Sequence, residues 1–369
     1  GWALCSILLA LFYHRTPSSG KRIPDDLEMP PKACGANRTC LYAIGGAWSA
    51  VDHFVPVVEG FNGSRWGFEG MLPMGSDEQH GPGVSSSAVT FGGRLYLLGH
   101  TAHGDVHSSK VGEVDWTEEP ALKYKRNGFA VVVYMGRIHV IGGSHLCLVK
   151  SLEEDPNSKC TEPGWTKPGE QAAAEQSRIV ESIDPVTETE WRTDCAMGGE
   201  EDGGKGQADK CLRTARTGLS AAVFQGKIFA IGGYEGTSVE VFDGNKWEEL
   251  EAEFPYSVYA SAVAVFNAKL WVLGGFSYNS YLRNAVSWDG NIWSQGQKFS
   301  HSRAWPASAV FESCDQGVCQ EKLYVLGGSN SMQALNYVEA YDGSVWRQSP
   351  SLPNPRNRLA AVVIDPSAT

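Results

Sequence analysis

The chain has 369 residues, 42% of them hydrophobic, and carries 42 acidic against 31 basic side chains for a formal net charge of −11. That length admits one large all-β domain or two smaller ones. The acid excess, with no clustered basic stripe, argues against a nucleic-acid surface. No nucleophile elbow, Walker loop, His-Glu-x-x-His pair or dinucleotide-binding glycine pattern occurs, so no catalytic residues and no cofactor are expected.

In chain order, Trp2–Tyr13 is an apolar stretch too short to span a bilayer. Residues 1–15 are expected to be the remnant of a signal peptide or of a membrane anchor. Residues 16–33, rich in Pro, Ser and charge, read as a linker. From residue 34 one short phrase recurs: Leu41–Gly46, Leu95–His100, Ile138–Gly143, Ile228–Gly233, Leu270–Gly275 and Leu323–Gly328. Each is an apolar run stopped by glycine, the pattern of a strand buried on both faces.

A second apolar run and a tight turn precede most of them. Ser86–Phe91, Phe129–Tyr134, Leu219–Phe224 and Ser261–Phe266 predict hairpins. The sixth unit has the same hairpin with a stretched turn, Glu312 to Lys322. Downstream comes a third strand and a turn: Asn62-Gly63, Asp184-Pro185, Asp243-Gly244, Asp289-Gly290 and Asp342-Gly343. A tryptophan then opens a fourth strand, at Trp66, Trp116, Trp191, Trp247, Trp293 and Trp346. A unit of four antiparallel strands, here A to D, cannot bury both faces alone, and packing such units around an axis solves that problem.

The apolar B strand, the double glycine, the aromatic-Asp-Gly turn and the tryptophan resemble the kelch repeat, over roughly residues 34 to 365. The resemblance implies an all-β, six-bladed β-propeller of four-stranded antiparallel blades within 34–369. The first unit lacks a strand A, and Leu359–Ile364 has no strand B behind it. The expected closure is that residues 359–364 complete blade one, which removes free sheet edges.

Eight of nine cysteines fall in close pairs: Cys34 with Cys40, Cys147 with Cys160, Cys195 with Cys211 and Cys314 with Cys319. They read as disulfides in loops outside the core strands, hence as a secreted protein or the extracellular side of a cell surface. Sequons at Asn37 and Asn62 are candidate glycosylation sites.

In an antiparallel blade the A–B and C–D turns share one face of the ring and the B–C and D–A loops the other. The second face carries the long segments Ser144–Ser177 and Arg192–Thr217, expected to form one raised wall. Arg126, Arg216, Arg303 and Arg356 or Arg358 precede A strands there, with Tyr256 and Tyr259 at that place in blade five. Kelch propellers commonly receive ligands on this face, so the resemblance implies that these residues and His145 bind an acidic ligand or peptide, for which arginine offers a planar fork. The alternative is that such arginines tie blades together. Glu59, Glu181, Glu240 and Glu339 occupy matching C-strand positions and read as repeat residues rather than an acid/base pair. His100, His103 and His107, with Asp105, are weak candidates for a metal site, although their spacing is not a ligand pattern. The expected function is a module binding a protein partner through the B–C/D–A face. The alternative is a propeller enzyme or lectin-like protein taking an acidic sugar at the mouth.

Overall fold

The computed structural model describes residues 27–34, 39–48, 55–73, 87–99, 104–110, 113, 115–148, 172–195, 208–234, 236–315 and 317–365. Six four-stranded antiparallel sheets account for the repeats. Blade one joins Ala360–Ile364, as strand A, to Cys40–Ile44, Val57–Phe61 and Trp66–Met71. The register Cys40↔Ile364 through Ile44↔Ala360 closes the ring with the C-terminal strand, as the unpaired first and last units require. Blade two is Ser87–Phe91, Arg94–Leu98, Val106–Lys110 and Thr117–Glu119; blade three is Ala130–Tyr134, Arg137–Ile141, Val180–Ile183 and Arg192–Cys195. Blade four is Ser220–Phe224, Lys227–Ile231, Val239–Phe242 and Trp247–Glu249; blade five is Ala262–Phe266, Lys269–Leu273, Ala285–Trp288 and Trp293–Gln295. Blade six is Ala307–Asp315, Val318–Leu326, Val338–Tyr341 and Trp346–Ser349. The stretched turn expected in blade six is instead ladder: pairing continues through Cys314↔Cys319 to Asp315↔Val318.

The core lies between blades rather than within them. Six apolar clusters each join two consecutive blades, for example Leu41, Phe61 and Trp66 of blade one with Phe311, Tyr324 and Leu326 of blade six. The tryptophans opening strands D fasten these seams. Indole N–H groups of Trp66, Trp116, Trp191, Trp293 and Trp346 donate to carbonyls of Pro350, Met71, Pro120, Ala252 and Gln297, each at or just past the end of strand D of the preceding blade. Phe61–Trp66, Phe242–Trp247, Trp288–Trp293 and Tyr341–Trp346 approach with ring centroids 5.0 to 5.2 Å apart across the C–D turn, which explains the aromatic before the turn in blades one, four, five and six. The double glycines are also a packing requirement. Gly46, Gly143, Gly275 and Gly328 have φ between +94 and +105°, and a Cβ there would lie 2.6 to 2.9 Å from the backbone carbonyl of Asn357, Asn127, Tyr259 or Ala304. Those carbonyls belong to the D–A connections, so the glycines let the chain entering strand A lie against the end of strand B.

Residues 27–34, the end of the segment expected to be a linker, pack along strand D of blade one. Phe68 N–H donates to Pro30 (2.9 Å), Arg65 holds the carbonyls of Pro31 (2.8 Å) and Lys32 (2.6 Å), and Glu69 accepts from the amides of Ala33 and Cys34, both at 2.9 Å. Gly67 makes room: a Cβ there would lie 2.3 Å from Ala33 N and 2.4 Å from Pro31 O. Residues 1–26 lie outside the described residues. Among the described residues no helix is long and apolar enough to cross a membrane.

Candidate binding face

The D–A connections meet around the axis in a ring of left-handed residues. Two positions past the arginine, Gly128, Gly218, Ala260, Trp305 and Arg358 have φ of 65, 65, 55, 51 and 55°. Each amide donates to the carbonyl of the ring residue before it: Gly218 to Gly128 (2.8 Å), Ala260 to Gly218 (2.8 Å), Trp305 to Ala260 (2.7 Å) and Arg358 to Trp305 (3.0 Å). The connection into blade two lies outside the described residues.

The four arginines expected to bind ligand point into the blades instead. Arg126, Arg216, Arg303 and Arg356 are at most 3% exposed. Each pairs with the C-strand glutamate of its own blade: Glu181, Glu240 (3.0 Å), Glu339 (2.6 Å) and Glu59. Arg216 and Arg303 also reach backbone carbonyls, Gly232 and Ser238 in one blade, Gly327 and Tyr337 in the other. These guanidiniums tie each D–A connection to strands B and C of one blade, not to a neighbouring blade and not to the mouth. Burial pulls the guanidiniums of Arg126 and Arg356 below their usual range and that of Arg303 to about 10, with the facing carboxylate opposing the shift. Burial likewise pushes the carboxyls of Glu59 and Glu181 up.

The glutamates also accept from the backbone three residues before the arginine, at Lys123, Arg213 and Ser300. Blade one has Pro353 there, which has no N–H, and the Asn354 side chain donates to Glu59 instead (2.6 Å). Blade five replaces the whole device. Val258 stands in the arginine position, Val286 in the glutamate position and Pro255 in the donor position, and both valines are fully buried together in one cluster. The sequence showed the matched glutamates and arginines separately. The signal that pairs them is their joint absence from blade five.

Of the remaining expected residues, Tyr256 is half-buried, edge-on to Phe254 at 5.0 Å, and burial pushes its hydroxyl to about 12. Tyr259 is different. It is the hub of an aromatic chain, with centroids 5.7 Å from Tyr234, 5.4 Å from Phe276 and 6.1 Å from Trp305; Phe276 continues to Tyr281 at 4.8 Å. The Arg358 guanidinium lies over the Trp305 ring, 4.7 Å from its centroid. All six side chains are partly exposed. Beside them the B–C loops of blades five and six present Tyr278 at 82% and Met332 at 88% exposure.

His145 lies in a two-stranded ribbon, Ser144–Leu148 with Ala172–Gln176, which opens the long B–C segment of blade three; its side chain is outside the described residues. His107 is not in a loop as expected but in strand C of blade two, paired with Leu97 and Glu118 in the register position that glutamate holds in blades one, three, four and six, and burial lowers its pKa. His100 and His103 lie outside the described residues, and among the described ones no group of three His, Cys, Asp or Glu could hold a metal ion.

Disulfides join Cys34–Cys40, Cys195–Cys211 and Cys314–Cys319. The fourth expected bridge, between Cys147 and Cys160, is not among them. Cys160 lies outside the described residues, as does the side chain of Cys147, whose backbone belongs to the ribbon strand Ser144–Leu148. Contrary to the expectation of loop cysteines, Cys40, Cys147, Cys195, Cys314 and Cys319 belong to strands. The Asn62 side chain is engaged on both ends. Its Oδ1 accepts from the amides of Ser64 (3.0 Å) and Arg65 (3.1 Å), as Asp243 does in blade four, and its Nδ2 donates to Ala33 (3.1 Å), so the atom a glycan would need is committed in this structure. Asn37 lies outside the described residues.

The family model for the Kelch motif matches residues 215–251 and 317–353, within blades four and six. Among curated proteins, Kelch-like protein 35 of Mus musculus is 28% identical over 149 residues, 38% of this chain and 24% of that protein. Beta-scruin of Limulus polyphemus is 24% identical over 269 residues, 66% of this chain and 24% of that protein, and alpha-scruin of the same species is 25% identical over 177 residues, covering 42% and 18%. The chain thus spans a quarter or less of these relatives' length. The solved structure of YjhT superposes with a TM-score of 0.57 at 16% identity, covering 89% of this chain and 98% of that one, a likeness of fold. With the motif matched in two blades and the same four-stranded plan in all six, the chain is a kelch-repeat β-propeller.

Proposed function

We propose that the chain is a protein-binding module that engages its partner through the B–C/D–A face. The observation that carries this reading is the aromatic chain from Tyr234 and Tyr281 through Tyr259 to Trp305, partly exposed at the axis and flanked by Tyr278 and Met332. Trp, Tyr, Met and Arg are the side chains enriched at the buried centres of interfaces, where a few anchors carry most of the affinity. The Ser144–Gln176 ribbon and the Cys195–Cys211 connection leave blade three on the same side and would wall the site. We place the module outside the cell or on its surface; the three disulfides support an oxidising compartment.

The test is affinity capture from native extracellular material on the immobilised propeller, beside a Tyr278→Glu/Met332→Glu variant. A protein retained by the first and lost by the second supports the reading. Equal retention by both moves the partner to another surface, and retention of acidic glycans alone would replace the protein partner by a sugar.

A further inference from the structure

The seam between blades three and four lacks a fastening that the other five seams have. At those five the indole of the strand-D tryptophan donates to a carbonyl of the preceding blade. At this one Trp247 is 1% exposed, and its Nε1 has no acceptor among the described residues. Strand D of blade three ends there at Cys195, bridged to Cys211. An unpaired buried donor is a cost that nothing at the other seams carries.

The same seam holds a second unpaired atom. The second residue of the strand-B phrase is aromatic in five blades, as Tyr42, Tyr96, Phe229, Trp271 and Tyr324, and in blade three it is His139. His139 pairs with Val132 and Ser182 within its sheet. Its neighbours Ile138 and Val140 pack in the seam with blade two, so strand alternation turns His139 toward blade four. There it lies edge-on to Tyr134 at 6.0 Å, and Tyr134 meets Phe242 of blade four at 6.2 Å. The ring bonds to the backbone of Tyr134, much as the Trp271 indole does to the Phe266 carbonyl (3.0 Å). Its Nε2 is buried without a hydrogen-bond partner among the described residues, in a side chain 6% exposed. In the neutral ring that atom is a bare acceptor. In the protonated ring it is a charged N–H with nothing to receive it, which a buried seam bears far less well.

We propose that the seam between blades three and four is an acid-sensitive joint that loosens when His139 takes up a proton. The proposal stands on the seam alone and holds whether or not the B–C/D–A face binds a protein. Burial holds the His139 pKa below the usual 6.5; Asp194 of strand D and the Tyr134 backbone oppose that shift, while Arg137 of strand B and Lys210 of the 208–210 turn add to it. Arg137 is itself held by Glu188, through bonds of 2.9 and 2.8 Å. On the blade-four side Asp243 acts on Tyr134, and Glu240 is paired with Arg216. The folded pKa is lowered, so the closed seam is favoured fully above pH 6.5 and loses that support as pH falls from there toward the folded value. Leu212 and Leu219 of the D–A connection share the apolar cluster of this seam, and the Tyr134 hydroxyl bridges it to the Gly226 carbonyl (2.9 Å). These contacts loosen with it, while the Cys195–Cys211 bridge keeps the connection attached to blade three.

Amide hydrogen exchange of the whole chain, read by mass spectrometry at about pH 7.5 and about pH 5, tests this. Protection is corrected for the pH dependence of free-amide exchange. The parent is compared with His139→Phe, which places the residue of blade four in blade three. The parent should lose protection over 130–141 and 219–231 at the lower pH while blades five and six keep theirs. The variant should keep protection in those segments at both pH values. His139→Tyr, the residue of blades one, two and six, should behave like His139→Phe and serves in its place if that variant does not fold. Equal acid loss in parent and variants, no loss in the parent, or a loss spread evenly over all blades would each overturn the proposal.

Discussion

Replacing Glu240 and Arg216 together by valine should cost far less than the sum of the two single replacements. Glu240 is fully buried and accepts from the amides of Arg213 (2.6 Å) and Thr214 (2.9 Å) and from Arg216 Nε (3.1 Å) and Nη2 (3.0 Å). Glu240→Val leaves the guanidinium without its counter-charge in a site 2% exposed, which should cost about 3–5 kcal/mol. Arg216→Val leaves a buried carboxylate that keeps two amide donors, and its cost should fall near the lower end of the same range, about 3 kcal/mol. Simple addition would make the double variant lose roughly 6–8 kcal/mol. Blade five shows that the fold accepts valine at both positions, as Val258 and Val286. The double variant removes both charges and leaves chiefly the orphaned amides and carbonyls, so its loss should be about 3–4 kcal/mol, a coupling of ~3 kcal/mol. Equilibrium urea unfolding followed by tryptophan fluorescence on the four proteins of the cycle measures this. Additive losses within ~0.5 kcal/mol, or a Glu240→Val cost under ~1 kcal/mol, would refute the view that these pairs matter through the penalty of leaving one charge alone.

Three further outcomes follow from the geometry. Gly67→Ala puts a methyl group 2.3 Å from Ala33 N, so residues 27–34 should detach from strand D, seen as faster amide exchange at Phe68 while the other blades keep their protection. Gly232→Ala, with φ +66° and a Cβ 2.1 Å from Val258 O, should lose at least ~2 kcal/mol in the same urea assay, since both left-handed strain and a backbone clash are added. In the blade-six turn, the amides of Val345 and Ser344 bring the Asp342 carboxyl down to about 2. Its folded pKa therefore lies below the ordinary value near 4, so its contribution to stability is complete above pH ~4 and is lost as pH falls toward 2. Asp342→Asn, which can accept the same bonds as Asn62 does in blade one, should remove that part of the pH dependence of unfolding while leaving stability at pH 7 within ~1 kcal/mol.

The sequence by itself determined the architecture, because each element that builds it is local and repeated. An apolar run ended by Gly-Gly, an Asp-Gly turn and a tryptophan five residues after the last strand-C aromatic, as in Phe242 to Trp247, specify strand, turn and seam with no knowledge of distant contacts. Ring closure was equally legible, since Leu359–Ile364 had no strand B and the first unit no strand A. The site was not legible in the same way. Arg126, Arg216, Arg303, Arg356 and Arg358 look alike in sequence, each shortly before a strand A. Only the three-dimensional packing separates four that are turned inward onto Glu181, Glu240, Glu339 and Glu59 from one that lies on Trp305 at the mouth. The physical reason is that burial and partners differ between positions two residues apart. Arg356 is fully buried against Glu59, whereas Arg358 is partly exposed over the Trp305 ring. The Tyr259 hub likewise draws its partners from blades four, five and six, which only the closed ring brings together.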